Sequence, residues 1–426
     1  MRWTTPWLLM LVACGGGNDV DPRVIPGGGI GDGEIDGEVN VAVIDNDEEP
    51  IAGALVRVGE VEKETDAKGF ATFEATGKQT IAVLADGFRP TAWVGVDGAN
   101  VTIPLTSLDP ASVPQATLSG SIPGWDQVQP LAVGHAKAAF VIYSQNDRLG
   151  DDANNLVTPN SGNVCGVVGD VCNWQLTARA GDSVTVVAAI VDIDPQGPGE
   201  ADNIITIMGW ASHGGITVED GVNQQGLELT QVEVGNLDDV SVDFGTPPAG
   251  LPTNAAIVGI ELSDDEVIQL PLFAAGAADA VPVPKPSVFG ASTYRLTAVS
   301  QTSAGDQGAQ SILIQRGETG PALVAGDWLI PPTGVSADRT GAAWEPVADA
   351  KIHQVQYRDA ANEIVLEITV LDASTEVVIP SLLELPSGAL TARISGIGAD
   401  LDVTDFSLEE DRDQLFGIAA EPTDVP

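Results

Sequence analysis

Positive charge is scarce in this chain. Of 426 residues only 18 are Lys or Arg, against 61 Asp or Glu, which gives a formal charge of −43. A phosphate backbone is held by clustered Lys and Arg that displace its counterions, so a nucleic-acid partner is excluded, and anionic lipid headgroups would be repelled in the same way. Histidine is scarcer still, at positions 135, 213 and 353. None of the three starts a zinc-ligand pattern: no His-Glu-x-x-His occurs, and His135 is followed by Ala136, Lys137 and Ala138. Nor is there a Gly-x-Ser-x-Gly elbow, a Walker loop or a dinucleotide fingerprint. Gly181-Asp182-Ser183 lies between two strand patterns and reads as a hairpin turn, while Gly27-Gly28-Gly29 does not follow a strand. Aromatics make up 5% of the chain, so small aliphatics must fill its cores. With no catalytic motif present, a noncatalytic role is expected.

What the chain does have is β-forming sequence. Hydrophobic residues reach 43% and charged residues 19%, enough apolar material for real cores. The length corresponds to roughly three domains. The 48 Gly and 28 Pro favour short strands joined by tight turns over helical bundles. The expected fold class is all-β, with several β-sandwich modules in tandem.

At the start of the chain, Arg2 precedes the apolar run Trp7 to Val12, which is far shorter than the ~20 residues of a membrane-spanning helix and reads as a secretory signal over residues 1–13. Leu11-Val12-Ala13-Cys14 resembles the lipobox of bacterial lipoproteins. The resemblance implies cleavage before Cys14, a diacylglycerol on its sulfur, and attachment to a membrane through that lipid. Each buried CH₂ of an acyl chain contributes about 0.8 kcal/mol, so two or three chains hold a protein nearly permanently. Gly15 in place of Asp implies sorting to the outer membrane. Residues 14–34 are Gly-rich and read as a flexible tether.

Four β units follow. Over 35–106, Pro50-Ile51-Ala52-Gly53-Ala54-Leu55-Val56, Thr65-Asp66-Ala67-Lys68-Gly69 and Ala85-Asp86-Gly87-Phe88 occur in an order that resembles the carboxypeptidase regulatory-like domain, a small transthyretin-like sandwich. The resemblance implies architecture and not peptidase activity. Locally, Asp66 to Gly69 suits a tight turn, and Gly53 permits close backbone approach. A second β domain is expected over 116–247, with strands near 138–143, 173–178, 183–191 and 203–210, and a third over 253–330, with 274–286 as an irregular loop, either separate from the second or packed with it as one larger body. Over 331–418, Pro331-Pro332, Ala343-Trp344-Glu345-Pro346 and Gln354-Val355-Gln356-Tyr357 resemble a fibronectin type III domain, which implies a core Trp and a Tyr on the next strand, although the C-terminal strands look short for that family. Residues 419–426 read as an acidic, solvated tail.

Candidate sites are few. Cys165 and Cys172 enclose six residues, and in an exported protein they read as a disulfide worth about 2.5 kcal/mol by chain entropy. The alternative, a two-thiolate metal site, lacks a nearby third ligand. Asp192, Asp194, Glu200 and Asp202 place hard oxygens in one loop of the kind Ca²⁺ takes, and Asn146, Asp147, Asp151, Asp152, Asn154 and Asn155 form a second acidic loop. Trp125 and Trp210, each beside glycine, are candidates for stacking on a sugar ring, with core packing as the alternative. His213 lies beside two glycines.

Two functions fit these residues. One is a lipid-anchored spacer, scaffold or adhesive surface of the cell envelope. The other is a lipoprotein that captures a glycan or calcium for a partner enzyme or transporter, and an envelope protein or polysaccharide is the expected partner class. The acidity itself makes a prediction: at about 1 M salt the screening length falls to ~3 Å, which relieves self-repulsion. Such a surface suits a marine or salt-tolerant host: melting temperature measured by scanning calorimetry is expected to rise steeply with NaCl, and a flat response would dispose of that reading.

Overall fold

The computed structural model describes residue 21 and residues 23–45, 48–108, 115–146, 164–166, 170–180, 183–194, 204–262, 266–270, 280–302 and 308–426. The fold is all-β, built of sandwiched sheets connected by turns and short 3-10 segments. No helix among the described residues is long and apolar enough to cross a membrane. Residues 1–13, Cys14, Glu200, Asp202 and the acidic loop 147–155 lie outside the described residues.

The first unit comprises β1 (Gly29–Gly31), β2 (Asp36–Ile44), β3 (Leu55–Val58), β4 (Val61–Glu64), β5 (Phe70–Thr76), β6 (Gln79–Leu84), β7 (Thr91–Val96) and β8 (Asn100–Pro104). β1, β8, β2 and β5 form one sheet, and β4, β3, β6 and β7 form part of another. Val41, Val56, Ile81, Trp93 and Ile103 pack in a common core. The predicted turn is built as its sequence requires. Asp66 Oδ1 accepts the N–H groups of Lys68 and Phe70, which holds its carboxyl below the usual range. Gly69 takes φ +77°, where a Cβ would lie 2.7 Å from the Val43 carbonyl oxygen. Gly53 departs from the expectation: it has positive φ but open space around it, so chain reversal and not close approach requires it.

The second and third units comprise β9 (Gln115–Ser121), β10 (Ala136–Tyr143), β11 (Gln145–Asn146), β12 (Val164–Cys165), β13 (Asn173–Arg179), β14 (Ser183–Asp194), β15 (Ile204–Thr217), β16 (Gln224–Glu228), β17 (Thr230–Gln231), β18 (Leu237–Asp243), β19 (Thr253–Glu261), β20 (Glu266–Leu270), β21 (Val281–Pro284), β22 (Tyr294–Gln301), β23 (Gln310–Glu318) and β24 (Ala322–Val324). They do not divide at the Pro-rich stretch near 247. The sheet β12-β10-β14-β15-β17 is a middle layer: Val186, Ala188 and Ile190 of β14 face a core shared with β9 and β13, while Val187, Ala189 and Val191 face a core shared with β19, β20 and β22. A strand covered on both faces reads as an unbroken apolar run, as Val186 to Val191 does. Gly181-Asp182, expected as a hairpin turn, lies outside the described residues, and the strands on either side belong to different sheets, β13 pairing with β9 and β14 with β10 and β15. The stretch expected to be an irregular loop contains β21, which pairs with β18.

The fourth unit comprises β25 (Ser336–Asp338), β26 (Gly341–Ala343), β27 (Ile352–Arg358), β28 (Ile364–Val370), β29 (Glu376–Val378), β30 (Leu390–Ala399), β31 (Phe406–Ser407) and β32 (Leu415–Val425). Trp344 and Tyr357 share its core. Its C-terminal strands are long, 10 residues for β30 and 11 for β32, and not short as the sequence suggested. The acidic tail 419–426 is likewise corrected. β32 pairs with β30 along its length and with β23 of the third unit, and Ala419 and Ala420 are fully buried. The edge of β30 needs backbone partners, and two acids spaced along an alternating apolar segment do not prevent it from supplying them.

The units are therefore continuous. One sheet of 13 strands runs β11-β20-β19-β22-β23-β32-β30-β27-β28-β7-β6-β3-β4, with β28 and β7 parallel from Glu367↔Thr91 to Val370↔Val94. The tether is also shorter than expected, because β1 is wedged between β8 and β31 and Ile30 is buried. The triple glycine is a steric demand of this strap. A Cβ on Gly28 would lie 2.5 Å from Pro104 Cδ, and one on Gly29 would lie 2.0 Å from the Phe406 carbonyl oxygen. Gly29→Ala is expected to destabilise the protein by about 1–3 kcal/mol through overpacking. Urea unfolding should show that loss, and hydrogen exchange should rise at residues 29–31 and 406–407 ahead of β14.

Candidate functional site

Five of the residues singled out in the sequence, Trp125, Cys165, Cys172, Asp192 and Asp194, lie near one end of the middle layer. The register of β10 against β14, Lys137↔Asp192 and Ala136↔Ile193, brings His135 alongside the end of β14. The segment between β9 and β10 turns through a short 3-10 stretch at Trp125–Gln127, entered by Gly124 at φ 73°. Three side chains fasten it. Lys137 Nζ donates to the Trp125 carbonyl at 2.7 Å and to the Val128 carbonyl at 2.8 Å, and lies 5.1 Å from the centroid of the Trp125 ring. Asp192, only 2% exposed, accepts the Leu131 N–H on Oδ1 at 2.7 Å and meets His135 Nδ1 with Oδ2 at 2.6 Å. Asp194 Oδ1 lies 3.2 Å from His135 Nε2.

The arrangement defines what this cluster can do. A general base or a metal-binding imidazole needs one free ring nitrogen, and both nitrogens of His135 face carboxylates. Asp192 has both oxygens engaged and Asp194 has one engaged, so His135 occupies the position a cation would take between them. The cluster is a clip that holds the 125–135 segment against β14, leaving Leu131 and Val133 exposed at its tip. No group of three or more His, Cys, Asp or Glu side chains among the described residues is arranged to hold a metal ion.

The disulfide closes the neighbouring loop. Cys165, on β12 opposite Ala139, is bonded to Cys172 with Cα atoms 5.0 Å apart, so both thiols are used covalently and not as metal ligands. Trp125 packs beneath it with 1% exposure, and its Nε1–H donates to the Gly166 carbonyl at 3.3 Å. Gly166 has φ +76°, and a Cβ there would lie 2.2 Å from the indole. The sugar-stacking reading of Trp125 is thereby corrected: the ring is a core side chain under a covalent loop. Trp210 is corrected for the same reason. It is 1% exposed, donates from Nε1 to the Pro282 carbonyl at 2.7 Å, and belongs to the core joining the second and third units. Core packing, the alternative weighed for both residues, is what the structure shows. His213 stands apart on β15, where its Nδ1–H donates to the Glu228 carbonyl at 2.9 Å.

His135 is the participant that sequence reasoning missed. It lies 57 residues from Asp192, and only the strand register makes them neighbours. Asp192→Ala is expected to cost about 1.5–3 kcal/mol, since two bonds to a buried carboxylate are lost, whereas Asp194→Asn at the exposed end should cost less than about 1 kcal/mol. Urea unfolding checks the ranking, and hydrogen exchange across residues 129–135 should rise in the Asp192 variant.

No family model matches the chain, and no curated protein matches it. Among solved structures, it is similar to the Bacillus anthracis TIE protein at 10% identity and a TM-score of 0.16, covering 68% of this chain and 49% of that one, so the chain spans about half the length of that neighbour. It is also similar to a tetra-tandem repeat in the extending region of a large adhesion protein, at 12% identity and a TM-score of 0.14, covering 91% of this chain and 99% of that one. Scores this low assign no shared fold.

Proposed function

We propose that the chain is a noncatalytic, lipid-anchored protein of the bacterial outer membrane whose fused β-sandwich body serves as a spacer, scaffold or adhesive surface. The observation that carries this reading is the 13-strand sheet. Modules on flexible linkers would reorient freely, whereas modules sharing main-chain hydrogen bonds keep a fixed relation to one another, as a spacer or a presenting surface requires. Supporting it, polar groups of the candidate site are used for holding: Asp192, with His135, clips a loop, and Cys165 and Cys172 close another. Leu11-Val12-Ala13-Cys14 supplies the attachment, and the charge of −43 keeps the body hydrated and clear of anionic surfaces. The first and fourth units keep the carboxypeptidase regulatory-like and fibronectin type III-like resemblances as the proposed origin of their sandwiches.

Mass spectrometry of the native protein is expected to find an acylated amino-terminal Cys14, and Cys14→Ser should move the protein from the membrane fraction to the soluble fraction. An unmodified amino terminus in protein secreted to the medium would overturn the anchor. Measurable hydrolytic turnover would overturn the noncatalytic assignment.

A further inference from the structure

A row of side chains crosses the boundary between the first and fourth units: Val94 on β7, Val370 on β28, His353 on β27 and Gly396 on β30. His353 is its one titratable member. It is 5% exposed, its ring lies 5.4 Å from that of Trp344, and among the described residues neither ring nitrogen has a hydrogen-bond partner. Its neighbours in register are aliphatic or glycine, with Ile368 and Ile394 in the next row of the same core.

The charged and titratable groups around it have other engagements. On the approach to its own strand Lys351 is exposed, and farther along it burial pushes the Tyr357 hydroxyl up. Beyond Val370, Asp372 accepts the Ser374 N–H. On the β30–β32 side Glu421 pairs in register with Ile394, and burial raises its carboxyl. In and beside the facing sheet, Asp338 is held by Thr340 and Glu345 by Thr333. No carboxylate among the described residues is paired with the imidazole.

We propose that His353 is an acid-triggered release for the seam between the first and fourth units. Proton uptake would place an unpaired cation in an apolar layer one strand from β28–β7, one of the two strand pairings that join these units. Burial cannot be offset by a partner here, so the proton is taken up by opening the structure around the ring. The sign follows from where the proton is favoured. Burial holds the imidazole below its ordinary value of 6.5 in the folded chain, so the open form binds the proton first. Stability is therefore full above about pH 6.5 and falls as pH drops from there toward the lowered folded value. Glu421 acts in the opposite direction. Its raised carboxyl gains a proton more readily in the folded chain, so acidification stabilises through it, in a window that begins above the ordinary carboxylate value of 4.5. The wild-type response is the net of the two, and His353 variants separate them.

The test is hydrogen exchange on the full mature chain between pH 7.5 and 5, corrected for intrinsic exchange, in wild type, His353→Gln and His353→Phe. In wild type the opening constant of β7 and β28 amides should rise by up to about tenfold per pH unit below 6.5, while β14 amides hold steady. Both variants should lose that rise. An equal rise in folded His353→Gln would overturn the proposal. Should neither variant fold, NMR titration of histidine-labelled wild type, assigned by elimination with His135→Asn and His213→Asn, decides it. A His353 ring that stays neutral well below pH 6.5 in the folded chain supports the release, and one titrating at or above 6.5 overturns it.

Discussion

Backbone hydrogen bonding carried across unit boundaries is the constraint on which the rest of this structure depends. A sandwich that ends in an open edge strand leaves a row of donors and acceptors without partners. Here β7 completes the edge of β28, and β32 lies between β30 and β23. The side chains follow the backbone. Ile81 and Trp93 face the core of the first unit, while the adjacent Ala82 and Ala92 face the core of the fourth. Separating those units would expose two cores as well as a ladder of amides, so the boundary is a packed interior and not a linker.

Against this framework the few cations are placed where they hold backbone or bridge units. Arg89 on the first unit lies 3.7 Å from Glu367 on the fourth, both largely shielded, and the Glu367 N–H donates to the Pro90 carbonyl beside it. Lys137 spends its donors on two carbonyls and its charge on an indole face. An exposed ion pair contributes little, but a shielded one that also satisfies main-chain groups fixes geometry. A chain with so much negative charge gains most by using its positive groups in that way.

Much of the fold was legible in the residues. Apolar patterning located β10, β13 and β14 closely, by alternation in β13 and by a continuous apolar run in β14. The turn at Asp66–Gly69 and the Cys165–Cys172 bond were legible for the same local reasons. What was not legible was anything decided by register or by a distant partner. The pairing of Ala419 and Ala420 with β30, the wedging of Gly29 against Phe406, and the meeting of His135 with Asp192 all depend on strands brought together by the whole fold. Composition also misled in a systematic way. Glycine in 27–29 looked like slack and is close contact, and tryptophan beside glycine looked like a binding platform and is core.

The strap formed by β1 has a consequence for how the molecule is made. Ile30 emerges among the first residues of the described body, yet its register partner Phe406 is near the far end of the chain. The first sandwich can therefore form most of its own sheet early but must keep one groove open until the chain has been synthesised past Phe406. Such long-range closure is slow and leaves apolar surface uncovered meanwhile. A nascent chain of this kind depends on being kept from sticking to its neighbours until β31 arrives and locks β1 in place.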